Sequence, residues 1–208
     1  MRPPLAAPFE PHPEQSSRHQ IRKALRRRRR SLSRHQQRQA ASALAQRLTA
    51  SPALYRARHI GIYLANDGEI DPAPYVTAAR QRGVQFYLPV LHRFRNGHME
   101  FTPYNETTAL QPNRFGIPEP VFNGGHGRPT WALDAVLMPL VGFDLEGGRL
   151  GMGGGFYDRT FEFVRRTPRL APKLIGLAHE IQRVVRLPIE PWDIPLDGIV
   201  TDRCRYRV

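Results

Sequence analysis

Apolar residues recur at loosely helical spacing between about positions 18 and 48, where Ile21, Leu25, Leu32, Ala40, Leu44 and Leu48 can share one face. The spacing predicts a long N-terminal helix broken near residues 31–33, with Ser33 and Gln36 forming a capping box for its second part. Beyond it, HIGIYLA (59–65) reads as a buried strand. NDGEIDPAP is a turn cluster leading into a helix over about 72–82. QFYLPVL (85–91) is a second strand. After a turn at 95–97, GHMEFTPY (97–104) alternates as a more exposed one.

Residues 105–130 read as loop, including RFGIPEP and NGGHGRP. LDAVLMPLVGF (133–143) then forms one strongly apolar strand, followed by a glycine-rich segment and a helix over FYDRTFEFVRR. KLIGLAHE (173–180) and DGIVTD (197–202) are further strands, with a short helix expected over 182–186. Nearly continuous apolar strands alternating with helices imply an α/β fold: a single domain with a mostly parallel open sheet, helices on both faces and a long N-terminal helix.

Composition adds three constraints. The 208 residues suffice for one domain, expected over 18–208; the Pro-rich stretch 1–17 reads as a flexible leader. No apolar run approaches the roughly 20 residues that span a bilayer, and a single cysteine, Cys204, excludes an intramolecular disulfide framework, so a soluble cytoplasmic protein is expected. The 31 Lys and Arg against 18 Asp and Glu give a net charge of +13, which favours anionic partners without choosing among them. The eight histidines form no convincing metal set, and Trp131 and Trp192 read as packing residues.

Chemistry concentrates in RLGMGGGFYDR (149–159), where glycines follow an apolar strand and precede a helix. Glycines there let backbone amides line a concavity around phosphate oxygens, Arg149 adds charge, and Asp158 on the first helical turn can hold Mg2+. The segment is neither GxxxxGK[ST] nor GxGxxG, because no Lys follows the glycines and Phe156 stands where the last glycine would be. A merely permissive turn remains the competing reading.

RLGMGGGFYDR resembles the signature of the 5-formyltetrahydrofolate cyclo-ligase family, also called methenyltetrahydrofolate synthetases, in its bacterial form. IRKALRRRRRSLS, YLANDGEID, FGIPEP and EPWDIPLDGIVTD resemble further blocks of that family in the same order. The resemblance implies ATP-dependent conversion of 5-formyltetrahydrofolate to 5,10-methenyltetrahydrofolate, with ADP and phosphate released and the formyl oxygen phosphorylated on the way. It implies ATP and Mg2+ as cofactors, small-molecule partners only, no specific nucleic acid, no membrane, and action as a monomer.

By the same resemblance, ATP would be bound by Arg22, Lys23 and Arg26 and by Arg149, Leu150, Gly151, Met152, Gly153, Gly154, Gly155, Phe156 and Tyr157. Arg149 and Asp158 would be catalytic. Asp158 and Asp193 would carry the metal. Leu64 and Glu69 would face the folate, with Phe115 and Ile117 as an apolar wall. Arg27 to Arg30 read as a solvated helix face. Two other readings stay open: a basic nucleic-acid-binding module, motivated by QIRKALRRRRR, and an ATP-dependent ligase or kinase acting on another N-formyl or carboxyl substrate.

Overall fold

The computed structural model of the chain describes residues 8–10, 17–121 and 127–208. The N-terminal run forms two helices, α1 (Arg18–Arg30) and α2 (Arg34–Thr49), parted where the sequence predicts. Ser17 caps α1 by accepting the Gln20 N–H. At α2 the capping box closes as expected: the Ser33 hydroxyl accepts the Gln36 N–H at 3.2 Å and the Gln36 side chain accepts the Ser33 N–H at 2.8 Å. Of the expected leader, Phe9 docks: its N–H donates to Arg183 O at 2.8 Å, and the Arg28 guanidinium lies over its ring. Residues 1–7 and 11–16 of that leader lie outside the described residues.

The strands are β1 (His59–Gly61), β2 (Gln85–Leu91), β3 (Met99–Tyr104), β4 (Leu110–Pro112), β5 (Pro118–Pro120), β6 (Ala135–Pro139), β7 (Gly142–Phe143), β8 (Arg149–Leu150), β9 (Lys173–Ala178), β10 (Gly198–Thr201) and β11 (Arg205–Arg207). Seven of them make one sheet in the order β11-β10-β9-β6-β1-β2-β3. The five inner strands run parallel, and β3 and β11 close the two edges antiparallel. This is the mostly parallel α/β sheet expected. One face is covered by α2 and α3 (Ala73–Arg80), through Ala40, Leu44, Leu48, Tyr75, Val76 and Ala79. The other is covered by α4 (Phe156–Thr160) and the chain after it, through Phe161, Phe163 and Val164.

Several local expectations change. β1 is only three residues long, although Ile62 N–H extends its ladder by donating to Tyr87 O at 2.8 Å. The apolar run 133–143 is two strands, because the chain turns at Leu140 and Val141, whose carbonyls both accept from the buried Gln182 amide. β7 then pairs with β8 in a hairpin held by Asp144, which accepts from the N–H groups of Glu146, Gly148 and Leu187. The expected helix over FYDRTFEFVRR is one short α-helix followed by a 3-10 turn over Glu162–Arg165. The expected helix over 182–186 does not form: a 3-10 turn over Glu180–Gln182 ends at Gln182, and the chain then runs extended, with bridges from Val184 to Phe9 and from Arg183 to Phe143. The loop-rich region contains the β4–β5 hairpin. Trp131 and Trp192 are exposed, at 60% and 63%, so neither is the packing residue expected.

Strand order reverses at the β1–β6 boundary: from β1 the chain proceeds to β2 on one side, and from β6 to β9 and β10 on the other. In open α/β sheets the crevice beyond the carboxyl ends of two such strands is where ligands sit. His179, just after β9, ties this region together. It is buried, its Nε2 lies 3.2 Å from Gly68 O in the loop after β1, and its other side-chain nitrogen accepts from the Gln182 backbone.

Burial lowers the His179 pKa from its ordinary 6.5 to about 4, against opposing contributions from Asp202 and the Gly68 carbonyl. Between those pH values the unfolded chain takes up a proton that the folded chain refuses. The stability His179 contributes is therefore complete above pH 6.5 and is lost as pH falls toward 4. Urea unfolding should register a loss of up to about 3 kcal/mol over that window. His179→Gln should flatten the dependence. Parallel curves for the two proteins would show that His179 is not the group responsible.

Candidate functional site

Helix α1 crosses the carboxyl ends of the central strands. Its apolar stripe, Ile21 and Leu25, packs on Val141, Leu150, Val184 and Leu187. A side chain at Gly142 would come within 2.4 Å of Leu25, so the β7 backbone approaches α1 as closely as glycine permits. Arginines at i, i+4 and i+8 line the neighbouring face. Arg18 clamps Asp193 with two hydrogen bonds, of 2.7 and 3.2 Å. Arg22 Nε donates to Gly151 O at 2.7 Å, and Arg26 Nε donates to Asp67 Oδ2 at 2.8 Å. One helix thereby holds the 193 loop, the glycine-rich turn and the loop after β1.

Arg29 corrects the sequence reading, because it belongs to no solvated face. Its side chain is wholly buried, in phase with Ile21 and Leu25. Its Nε donates to Asp67 O and its Nη2 to Asp67 Oδ2, both at 2.8 Å, while Glu69 Oε1 stands 3.7 Å from Nη2. Arg30 also pairs with Asp67. Asp67 and Gly68 both adopt left-handed φ, at +53° and +76°, so the loop turns sharply to meet these guanidinium groups. Burial pushes the Asp67 carboxyl up, but bonds from Arg26, Arg30 and Arg29 outweigh it and the net pKa is lowered. For Glu69 burial wins over the Arg29 charge and the Asn66 N–H, and its pKa is raised.

In the glycine-rich turn, Met152, Gly153 and Gly154 are exposed, and a side chain at Gly151 would meet nothing within 4 Å. Gly153 and Gly155 have φ of +97° and +64°, and Gly155 caps α4. Among the described residues, no acceptor pairs with the backbone N–H groups of 152–158. The turn thus presents a run of free donors ending in a helix N-terminus. Arg159 fixes its outer edge, bonding Gly154 O and, at 3.1 Å, Gly97 O of the β2–β3 hairpin.

Arg149 lies beneath the turn. Its Nη2 pairs with Asp158, whereas its buried Nη1 has no hydrogen-bond partner among the described residues. Burial lowers the Arg149 pKa, against the nearby charges of Asp158 and Asp193. The two carboxylates belong to touching segments, since Ile194 N–H donates to Asp158 Oδ1 at 3.1 Å. Burial pushes Asp193 up, yet Arg18, the Glu190 N–H and Arg149 together bring its pKa below the ordinary value.

The structure therefore brings Arg22, Arg26, Arg149, residues 150–157, Asp158, Asp193 and Glu69 into one connected set of contacts around α1. Lys23 is exposed, with no hydrogen-bond or ion-pair partner among the described residues. Leu64 is half-buried against the main core. Phe115 and Ile117 are exposed, and Phe115 meets the ring of Phe156 edge-on, with centroids 5.7 Å apart. Residue-type reasoning missed Arg18, Arg29 and His179. The i+4 phase from Ile21 through Leu25 was the available signal for Arg29.

The family model for the 5-formyltetrahydrofolate cyclo-ligase family matches residues 14–202. The 5-formyltetrahydrofolate cyclo-ligase of Escherichia coli K12 is 40% identical over 177 residues, covering 85% of this chain and 96% of that protein. The Haemophilus influenzae protein of the same name is 38% identical, over 88% of this chain and 96% of its own. The solved structure of 5,10-methenyltetrahydrofolate synthetase from Aquifex aeolicus superposes with a TM-score of 0.74 at 28% identity, covering 91% of this chain and 92% of that one. With motifs, matched span and architecture in agreement, the chain belongs to the 5-formyltetrahydrofolate cyclo-ligase family.

Proposed function

We propose that the crevice beyond β1 and β6 closes 5-formyltetrahydrofolate to 5,10-methenyltetrahydrofolate at the expense of ATP, releasing ADP and phosphate. The observation that carries this reading is the open run of N–H groups over 152–158, set above a buried arginine whose Nη1 lacks an acceptor. That arrangement suits the phosphates of ATP. Arg22 and Arg26 extend the cationic wall, while Lys23, exposed on the same helix, would reach the nucleotide only from its rim.

An N-formyl carbon is a poor electrophile because the nitrogen lone pair is delocalised into the carbonyl. Attack of the formyl oxygen on the γ-phosphate, expelling ADP, turns that oxygen into a leaving group. N10 then attacks the carbon and phosphate departs. The protein's work is alignment, charge neutralisation and exclusion of water. Glu69 is read as the acceptor for pterin N–H donors, with Leu64 beside it and Phe115 and Ile117 as the outer wall.

The donor chemistry also fits Mg2+. Asp158 and Asp193 offer carboxylate oxygens on touching segments, and Asp158 Oδ2 has no hydrogen-bond partner among the described residues, although Asp193 is engaged by Arg18. Two carboxylates completed by water and phosphate oxygens suit that ion, which when bound would neutralise phosphate charge. The reading takes the protein as a monomer whose domain spans 18–208. No helix among the described residues is long and apolar enough to cross a membrane, and the single cysteine suits the cytoplasm. The basic run offers little to nucleic acid, since Arg26, Arg29 and Arg30 are committed to Asp67.

On mixing the protein with ATP, Mg2+ and 5-formyltetrahydrofolate, absorbance in the band of the methenyl product should rise. No rise would count against the reaction. Asp158→Asn should lower kcat by roughly 100-fold or more, the scale of losing one preorganised electrostatic group. The Asn carbonyl can still accept from Arg149 and Ile194, so far-ultraviolet circular dichroism should be unchanged. Equal kcat values would remove Asp158 from the machinery.

A further inference from the structure

Arg29 is wholly buried, yet its guanidinium meets polar groups rather than an apolar core. Its guanidinium is fixed from several sides: by the carbonyl and carboxylate of Asp67, by Leu140 O after β6 at 3.5 Å, and by a 4.0 Å approach to Met152 Sδ in the glycine-rich turn. Its own carbonyl accepts from the Gln37 side chain, which also donates to Gly68 O, both at 3.3 Å. A cation held on so many anchors has little freedom to turn, and its remaining near neighbour is the Glu69 carboxylate, 3.7 Å away. That separation is an ion pair without a tight hydrogen bond. Glu69 therefore keeps lone pairs to offer elsewhere, with Asn66 N–H bonded to its Oε2 at 3.1 Å.

We propose that Arg29 is a positioning residue: a buried cation that keeps the Glu69 carboxylate ionised and aimed, so that it can accept hydrogen bonds from the folate. The inference rests on the reading of Glu69 as the folate-side acceptor. Other groups near Glu69 do not substitute for Arg29. Arg26, three residues before Arg29 on α1, is bound to Asp67 and acts on Glu69 less than Arg29 does. Asp67 itself is a like charge, and Tyr63 and Tyr157 are neutral phenols whose ionisation burial suppresses. His179, which touches the same loop through Gly68, is held neutral by burial. Without Arg29, a buried carboxyl beside another acid takes up a proton at higher pH, and a protonated Glu69 loses acceptor capacity.

The test is binding of 5-formyltetrahydrofolate without ATP, followed by calorimetry between about pH 5.5 and 8.5, a range above the ordinary carboxylate pKa. The parent, whose Glu69 pKa burial already raises, should lose less affinity toward the acid end than a variant without the cation. Arg29→Gln should bind about tenfold more weakly than the parent at the acid end and recover to within about threefold at the alkaline end, as expected if the carboxyl pKa rises by about two units. Recovery in alkali is a signature that a merely distorted site would not give. Arg29→Lys, which retains the charge, serves if the Gln variant does not fold. It supports the proposal if its affinity matches the parent's across the whole range or if its loss recovers in alkali. A pH-independent loss in either variant, or unchanged binding by Arg29→Gln, overturns it. Glu69→Gln separates the two levels of inference: it should bind weakly at every pH, and parental affinity in that variant would reject the folate-side reading itself.

Discussion

The site depends on one helix being lashed across the ends of parallel strands by charge. Along α1, Arg18, Arg22, Arg26 and Arg29 engage Asp193, the Gly151 carbonyl, Asp67 and the Asp67–Glu69 loop in turn. Three loops that are distant in sequence are thereby held at one crevice. Ion pairs of this partly buried kind add little net stability over well-packed apolar residues, but losing one partner is costly. Their contribution here is placement: the apolar stripe of Ile21 and Leu25 sets how deeply α1 lies, and the arginines set which loops it holds.

That constraint accounts for the glycines. With α1 resting on β7, a side chain at 142 would come within 2.4 Å of Leu25, while 153 needs glycine for its left-handed φ of +97° beside Arg22. Bare backbone leaves the amides of 152–158 without an acceptor among the described residues, while Arg149 stays buried beside them. Donors fixed before a ligand arrives cost no reorganisation when charge moves, which is the condition that phosphoryl transfer rewards.

Much of this was legible in the sequence because it follows from burial. The runs that became β2, β6, β9 and β10 are apolar on both faces, as a covered parallel sheet requires. The capping box at Ser33 is a local rule and held locally. What failed depended on distant partners. The split at Leu140 arises because Gln182, some forty residues later, takes the carbonyls of Leu140 and Val141. Strands β4, β5 and β11 are short and mostly exposed, so no periodicity marks them. Hydrophobicity alone could not tell that Trp131 and Trp192 lie at the surface. Among the site residues, the glycine-rich turn was visible as a motif. Arg29 was hidden inside a run of five arginines, distinguished only by its phase with Leu25 and by a partner loop that sequence spacing cannot locate.

The central claim is that the free amides of the glycine-rich turn receive the phosphates of ATP. Amide-resolved nuclear magnetic resonance with a non-hydrolysable ATP analogue and Mg2+ tests it most directly. The largest shifts should fall on the N–H groups of residues 152–158 and on the Arg149 and Arg22 guanidinium signals, with smaller changes along α1. Saturable binding that leaves the 152–158 amides unmoved, with the largest shifts elsewhere on the protein, would contradict it.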